Sequence, residues 1–104
     1  MPLPMIDEIK SLCQQGKVEW TSHVQQRILQ RGISRQDVKE AIIYGIIIEN
    51  YPEDYPFPSC LMLGANRLHV VCGIGVGTLW IITAYRPSED KWEDDLKTRK
   101  GIGK

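Results

Sequence analysis

Apolar residues in the first half of the chain recur every three or four positions, the spacing of one face of a helix. Met5, Ile9, Leu12 and Cys13 make one such row behind Pro4 and ahead of Gly16, and predict a short amphipathic helix stopped by that glycine. "KVEW" is then brief and extended. Ser22 and Gln25 have the spacing of a capping box, which predicts a second helix starting at Ser22 and ending at Gly32. The clearest start signal lies at Ser34. Its hydroxyl can cap a third helix, Asp37 stands near the positive end, and Ile33 can staple onto Val38. Val38, Ala41 and Ile42 supply the apolar stripe of that helix, and Gly45 ends it.

After Gly45 the pattern turns to β. "IIIENY" is β-branched and bounded by Pro52, "EDYPFP" is an aromatic, proline-containing loop, and "SCLMLG" reads as a strand followed by a tight turn at "ANR". "RLHVVCGIG" and "TLWIITAYR" are the strongest strands, joined by a turn at Gly75 to Gly77. Ser88 with Glu89 and Asp90 predicts a terminal helix over "EDKWEDDLK", followed by a basic, frayed tail, "KTRKGIGK". Alternation puts Leu79, Ile81, Thr83 and Tyr85 on one side of the last strand, with Trp80, Ile82, Ala84 and Arg86 on the other. In the preceding strand Leu68, Val70, Cys72 and Ile74 form an apolar row, leaving Arg67, His69 and Val71 opposite. Given the right register, His69, Thr83 and Tyr85 share an open sheet face. The expected fold is α+β: N-terminal helices packed on a four-stranded, mainly antiparallel sheet, with a short C-terminal helix. It forms one domain over residues 1–104, with its core at about 18–95 and the basic tail at 97–104.

Composition narrows the function classes. The chain is 42% hydrophobic and 25% charged, as expected of a globular domain. Its thirteen basic residues balance thirteen acidic ones, so any nucleic-acid contact must come from local clustering. Cys13, Cys60 and Cys72 are odd in number and widely spaced in apolar surroundings, where cysteine packs as a small hydrophobe. With no CxxC pair and the two histidines far apart, neither a metal site nor a disulfide framework is expected, and no cofactor is implied. The start "MPLPMIDEIK" has no basic-then-apolar signal, and the longest apolar run, "AIIYGIII", is too short to span a bilayer. A reduced, cytoplasmic protein is expected, with no membrane partner.

"GIGVG" lacks the spacing of a phosphate-binding loop and has no helix after it, so it reads as a hairpin turn. More chemistry lies in "WTSHVQQRILQRGIS". His23, Arg27 and Arg31 drift only about 40° per step around a helix and form one stripe beside the apolar pair Val24 and Ile28. His23 falls in the first turn, where the macrodipole disfavours imidazolium and welcomes an anion. A neutral histidine beside arginines suits a general base, although a solvated helix face has the same spacing. His69 can equally be a satisfied sheet histidine, and Tyr85 a core tyrosine with a bonded hydroxyl. A histidine, a tyrosine and several arginines suit metal-free RNA cleavage, which needs a base for the 2′-hydroxyl, cations for the phosphorane and an acid for the leaving 5′-oxygen. Tyr51, Tyr55, Phe57 and Trp92 could stack unpaired bases.

"SHVQQRILQRGISRQDVKEAIIYGIIIENY", followed by "LHVVCGIG" and "TLWIITAYRP", resembles a bacterial family of small domains of unassigned function. The pattern is Ser-x-His with a following Arg, then Arg-Gly-Ile, a helix ending in Gly, and a strand ending at Tyr-Arg-Pro. That family is similar to toxins of the RelE, BrnT and MqsR kind: "IITAYRPSEDKWEDD" is like the BrnT ending, and "IDEIKSLCQQGKVEWTSHV" is laid out like the start of MqsR. The resemblance implies a compact α+β fold and a toxin of a type II toxin–antitoxin system, a metal-independent mRNA endonuclease. The implied partners are RNA, on or off the ribosome, and a neighbouring antitoxin, often a zinc-and-helix-turn-helix protein in the MqsR-like case. His23, Arg27, Tyr85 and Arg86 are the expected catalytic set, and Arg31, Arg67, His69 and Lys91 the expected RNA contacts. The competing expectation is a non-enzymatic module that binds a partner chain through its sheet face or edge, with "SEDKWEDD" as an acidic docking surface.

Overall fold

A computed structural model describes residues 6–101. Met5 and Pro4, expected at the head of the first helix, and the last three residues of the tail lie outside the described residues. Helix α1 (Ile6–Gln14) buries Ile9, Leu12 and Cys13 and is followed by Gly16 in the left-handed conformation, φ 75°. Helix α2 spans Ser22–Gln30 and α3 spans Arg35–Ile43. The α2 cap lies one residue earlier than expected. Thr21 accepts from the Val24 amide at 3.1 Å, and Gln25 reaches back to the Trp20 carbonyl rather than closing a box. At α3 the anticipated box is complete: Ser34 Oγ accepts from the Asp37 amide at 3.0 Å, and the Asp37 carboxylate accepts from the Ser34 amide at 2.9 Å. Ile33 and Val38 are both buried beside that start, as a hydrophobic staple requires.

Four of the five strands follow the expected meander. Strands β3 (Ser59–Leu63), β4 (His69–Gly75) and β5 (Thr78–Tyr85) pair antiparallel in sequence, and β2 (Ile46–Tyr51) adds antiparallel to β3. The expected four-stranded sheet is in fact five-stranded and mixed. "KVEW" contributes β1 (Val18–Trp20), which lies parallel to β5 with Val18 opposite Leu79 and Trp20 opposite Ile81. Three residues carry too little periodicity to announce this pairing, which joins positions far apart in the chain. The strand order is β1-β5-β4-β3-β2.

One face of the sheet carries Cys60, Met62, Val70, Cys72, Leu79, Ile81 and Ala84 against the buried stripes of the three helices. All three cysteines are free and buried here, and Cys60 sits directly opposite Cys72. Truncating a fully buried residue of this core such as Ile42 to alanine costs about 2–5 kcal/mol. The other face is covered by the segment after β5. The expected terminal helix is absent: residues 88–100 form turns and a single bridge between Trp92 and Arg99. Trp92 and Leu96 are buried there against Leu61, with Ile48, Tyr51, Leu63 and Val71 around them. Trp92 and Leu96, four residues apart, would also share one face of a helix. The chain turns instead: Leu96 is left-handed at φ 59° and the Asp95 carboxylate accepts from the Lys97 and Thr98 amides at 2.9 and 3.0 Å, which makes the segment a strap. Nor is the whole tail free, since Arg99 makes a two-pronged contact with Glu49 (2.9 and 3.0 Å) and its guanidinium lies 4.7 Å from the Trp92 ring centre. No helix among the described residues is long and apolar enough to cross a membrane.

Candidate functional site

Register decides what the sheet presents. Val71 pairs with Thr83 but Cys72 pairs with Ile81, so Ile82 is an extra residue, a β-bulge in β5. The bulge resets the alternation. Ala84 joins Leu79 and Ile81 on the helix-covered face, and Thr83 and Tyr85 turn to the side of Trp80, reversing the expected assignment for the end of the strand. His69 and Tyr85 become direct cross-strand partners, as the shared-face expectation required. That face is not open at this end.

His69 is fully buried beneath the strap, with its ring edge-on to Trp92 at 4.5 Å. Its Nε2 lies 2.8 Å from the Leu96 carbonyl, an obligate acceptor, so Nε2 carries the proton and Nδ1 accepts from the Tyr85 hydroxyl at 3.2 Å. Burial lowers the His69 pKa, favouring this neutral form, and burial likewise raises the Tyr85 phenol above its usual range. Every polar atom of the pair is thereby engaged. His69, expected to contact RNA, has no surface to offer, and Tyr85 is committed to His69. Trp92, considered as a stacking residue, is a core anchor, and half-buried Tyr51 donates to Glu49 at 2.7 Å with its pKa pushed up to about 12, first by burial and then by that carboxylate.

The other end of the same face is open. Beyond the bulge a cleft of about 690 Å³ lies between the first turn of α2 and the loop before β3. His23 and Thr21 form one wall, Asp54, Tyr55 and Phe57 the other, and Trp80 and Ile82 the floor. The volume is within the range of about 300–1,000 Å³ usual for ligand sites. The Trp80 indole is fixed by donation to the Gly75 carbonyl at 3.1 Å, and its ring centre is 6.4 Å from that of Phe57. Phe57 fits because Gly75 has no side chain: a Cβ there would come within 2.2 Å of the ring. Asp54 is held by the Ser59 hydroxyl. Tyr55 is almost wholly exposed on the rim. The sequence pointed to the two loop aromatics, but not to Trp80 or Asp54, because only the folding of the loop over β4 and β5 brings them to His23.

From the cleft a row of basic residues runs along α2 to the end of β5 that lies beyond β1. His23 and Arg27 are exposed on successive turns of α2. Arg31, one turn on, donates to the Ala84 carbonyl at 2.8 Å, which occupies the strand edge beyond the end of β1. Arg86 lies against the Gly32 carbonyl at 3.5 Å and, with Arg67 from the β3–β4 turn, lines a second pocket of about 220 Å³. The proposed catalytic quartet is thus divided. His23 lines the cleft, Arg27 follows one turn along α2 without lining it, Arg86 stands at the far end of the row, and Tyr85 is turned under the strap. Lys91 is exposed on the strap and lines neither pocket.

No curated protein and no solved structure gives a match to this chain. The segment that does match a family runs from Trp20 to Arg86, taking in α2, α3 and the strands that carry both the cleft and the cationic row, and leaving out α1 and the strap. Over those residues, 20–86, the chain belongs to the family described as a domain of unknown function, DUF4258.

Proposed function

We propose that the domain is an RNA-cleaving toxin of a toxin–antitoxin pair, acting without a metal ion, and that His23 and Arg27 do the chemistry at the mouth of the aromatic cleft. The observation that carries this reading is the junction of two features. An exposed histidine in the first turn of α2 opens onto a cleft walled by Tyr55, Phe57 and Trp80, and the next helical turn presents the exposed Arg27, which is in no ion pair among the described residues. An unpaired base stacks on the aromatic wall, which brings its 3′-phosphate to the helix edge. His23 takes the proton of the 2′-hydroxyl, the 2′-oxygen bonds to phosphorus, and the 5′-oxygen leaves with a proton from solvent. Arg27 balances the charge of the phosphorane. The ribose supplies its own nucleophile, so the step needs base, cation and position. The partner this reading implies is an antitoxin that covers the cleft.

The test is cleavage of a single-stranded RNA by the purified domain in EDTA, with and without ribosomes. Cleavage is expected, and His23→Ala is expected to slow it about 10²–10⁴-fold with unchanged circular dichroism, since the side chain is exposed. Intact RNA under both conditions overturns the proposal. A second reading has its own observation. The outer edge of β2 is unpaired in the sheet, with Ile46 exposed on it and Tyr44 exposed just before it, as suits a module that adds a partner strand. Harmless accumulation on overexpression favours that module, and growth arrest relieved by a neighbouring small gene favours the toxin.

A further inference from the structure

The pocket formed by Arg67 and Arg86 stands apart from the cleft and invites its own ligand. Two arginines line it from different parts of the chain, one on the β3–β4 turn and one just beyond β5. Its remaining walls are Asn66, Pro87 and Leu96, none of them acidic. The side chain of Asn66 braces the turn, donating to the Asp37 carbonyl at 3.0 Å and accepting from the Leu68 amide at 3.3 Å. The nearby carboxylate of Asp37 feels Arg86, but it is tied to the Ser34 amide in the α3 capping box. Neither arginine is in an ion pair among the described residues. Arg67 also sits at φ 68°, where a non-glycine side chain is disfavoured. A large cation is therefore held at a position whose backbone suits glycine better, beside a second cation that repels it.

We propose that this pocket binds a phosphodiester group of a single-stranded nucleic acid, one that follows the row of cations from the cleft. The inference rests on the RNA reading for the identity of the strand, but not on cleavage. Charge repulsion between the two arginines is offset when a phosphate with oxygens on several sides bridges their guanidinium groups. The route is continuous. Arg31 lies eight residues, or about 12 Å of helix rise, beyond His23, and its neighbour Gly32 touches Arg86. The strand thus lies beside β5 from the aromatic cleft to the Arg67 turn. The C-terminal strap, through Leu96, forms part of the far wall.

A short single-stranded DNA oligonucleotide tests this without cleavage, because it has no 2′-hydroxyl to attack. Its binding to the full chain is measured over a series of salt concentrations. Arg67→Gly and Arg86→Gln are each expected to weaken binding about three- to tenfold and to reduce the slope of log K against log salt by about 0.7, the signature of one lost phosphate contact. Arg67→Gly carries an internal control. Glycine is at ease at φ 68°, so the thermal midpoint holds or rises while binding falls. Unchanged affinity and slope in both variants overturn the proposal. So does inorganic phosphate bound by the parent and lost in Arg67→Gly while the oligonucleotide is unaffected, which would make the pocket a site for a free anion. Binding as described with no RNA cleavage retains the subsite and removes only the ribonuclease.

Discussion

His69 shows how a residue of one chemical type can take either of two roles that its spacing allows. A histidine alternating with an apolar row fits a catalytic wall as well as a buried sheet position, and the strap selects the second. Its depressed pKa makes a testable statement about stability. The unfolded chain takes up a proton near pH 6.5, whereas the folded chain resists doing so until lower pH. The stability this neutral histidine contributes is therefore present above about pH 6.5 and is lost as pH falls through the folded value. Urea midpoints measured between pH 7.5 and 5 should fall in the parent and fall less in His69→Gln, which cannot titrate in that window. Tyr85→Phe removes the hydroxyl that serves Nδ1 and should cost about 1–3 kcal/mol in the same urea experiment. In contrast, His23→Ala should leave the midpoint untouched, which separates a surface site residue from a core one.

Elements carry the clearest local signals, and their ends can be altered one at a time. The β4–β5 turn places Val76 at φ 54° and Gly77 at φ 70°, the two positive values of a type I′ turn. Glycine is suited to the second position, but valine at the first is an outlier with almost no packing in return, since its side chain is 90% exposed. Val76→Asn should stabilise the domain by roughly 1 kcal/mol, read as a rise of about 4–8 °C in thermal midpoint. At the other sign, Ser34→Ala removes the cap of α3 and should cost about 1 kcal/mol. Glycine stops, the Ser34 box and the glycine hairpin were all legible because each depends on residues within one turn of each other. The α2 cap falls on Thr21 although Ser22 is an equally good capping type, because the entry of the chain from β1 decides between them.

At the scale of the molecule, the family segment makes a sheet and two helices that the two ends of the chain then complete. Helix α1 supplies Ile9, Leu12 and Cys13 to the main core, and the strap supplies Trp92 and Leu96 to the smaller one. Trp92→Ala should cost about 3–5 kcal/mol, and ending the chain at Ser88 should uncover His69 and Leu61 and produce dye binding to exposed apolar surface. The Glu49–Arg99 pair, which pins the strap, is partly exposed and should be worth no more than about 1 kcal/mol. Its loss in Glu49→Gln should loosen the strap in hydrogen exchange without unfolding the sheet.

By itself the sequence determined the α+β class, the three helices, the meander of β2 to β5 and the alignment of His23 and Arg27 on one stripe. These follow from periodicity, capping and turn chemistry, all of which act between near neighbours. Only the tertiary structure decided the bulge at Ile82, the parallel addition of β1, the strap in place of a helix and the two pockets at opposite ends of the β5 edge. Each of these depends on which distant segments pack together. One extra residue in β5 is invisible to an alternating pattern, yet it turns Tyr85 toward His69 and leaves the cleft at the open end of the sheet.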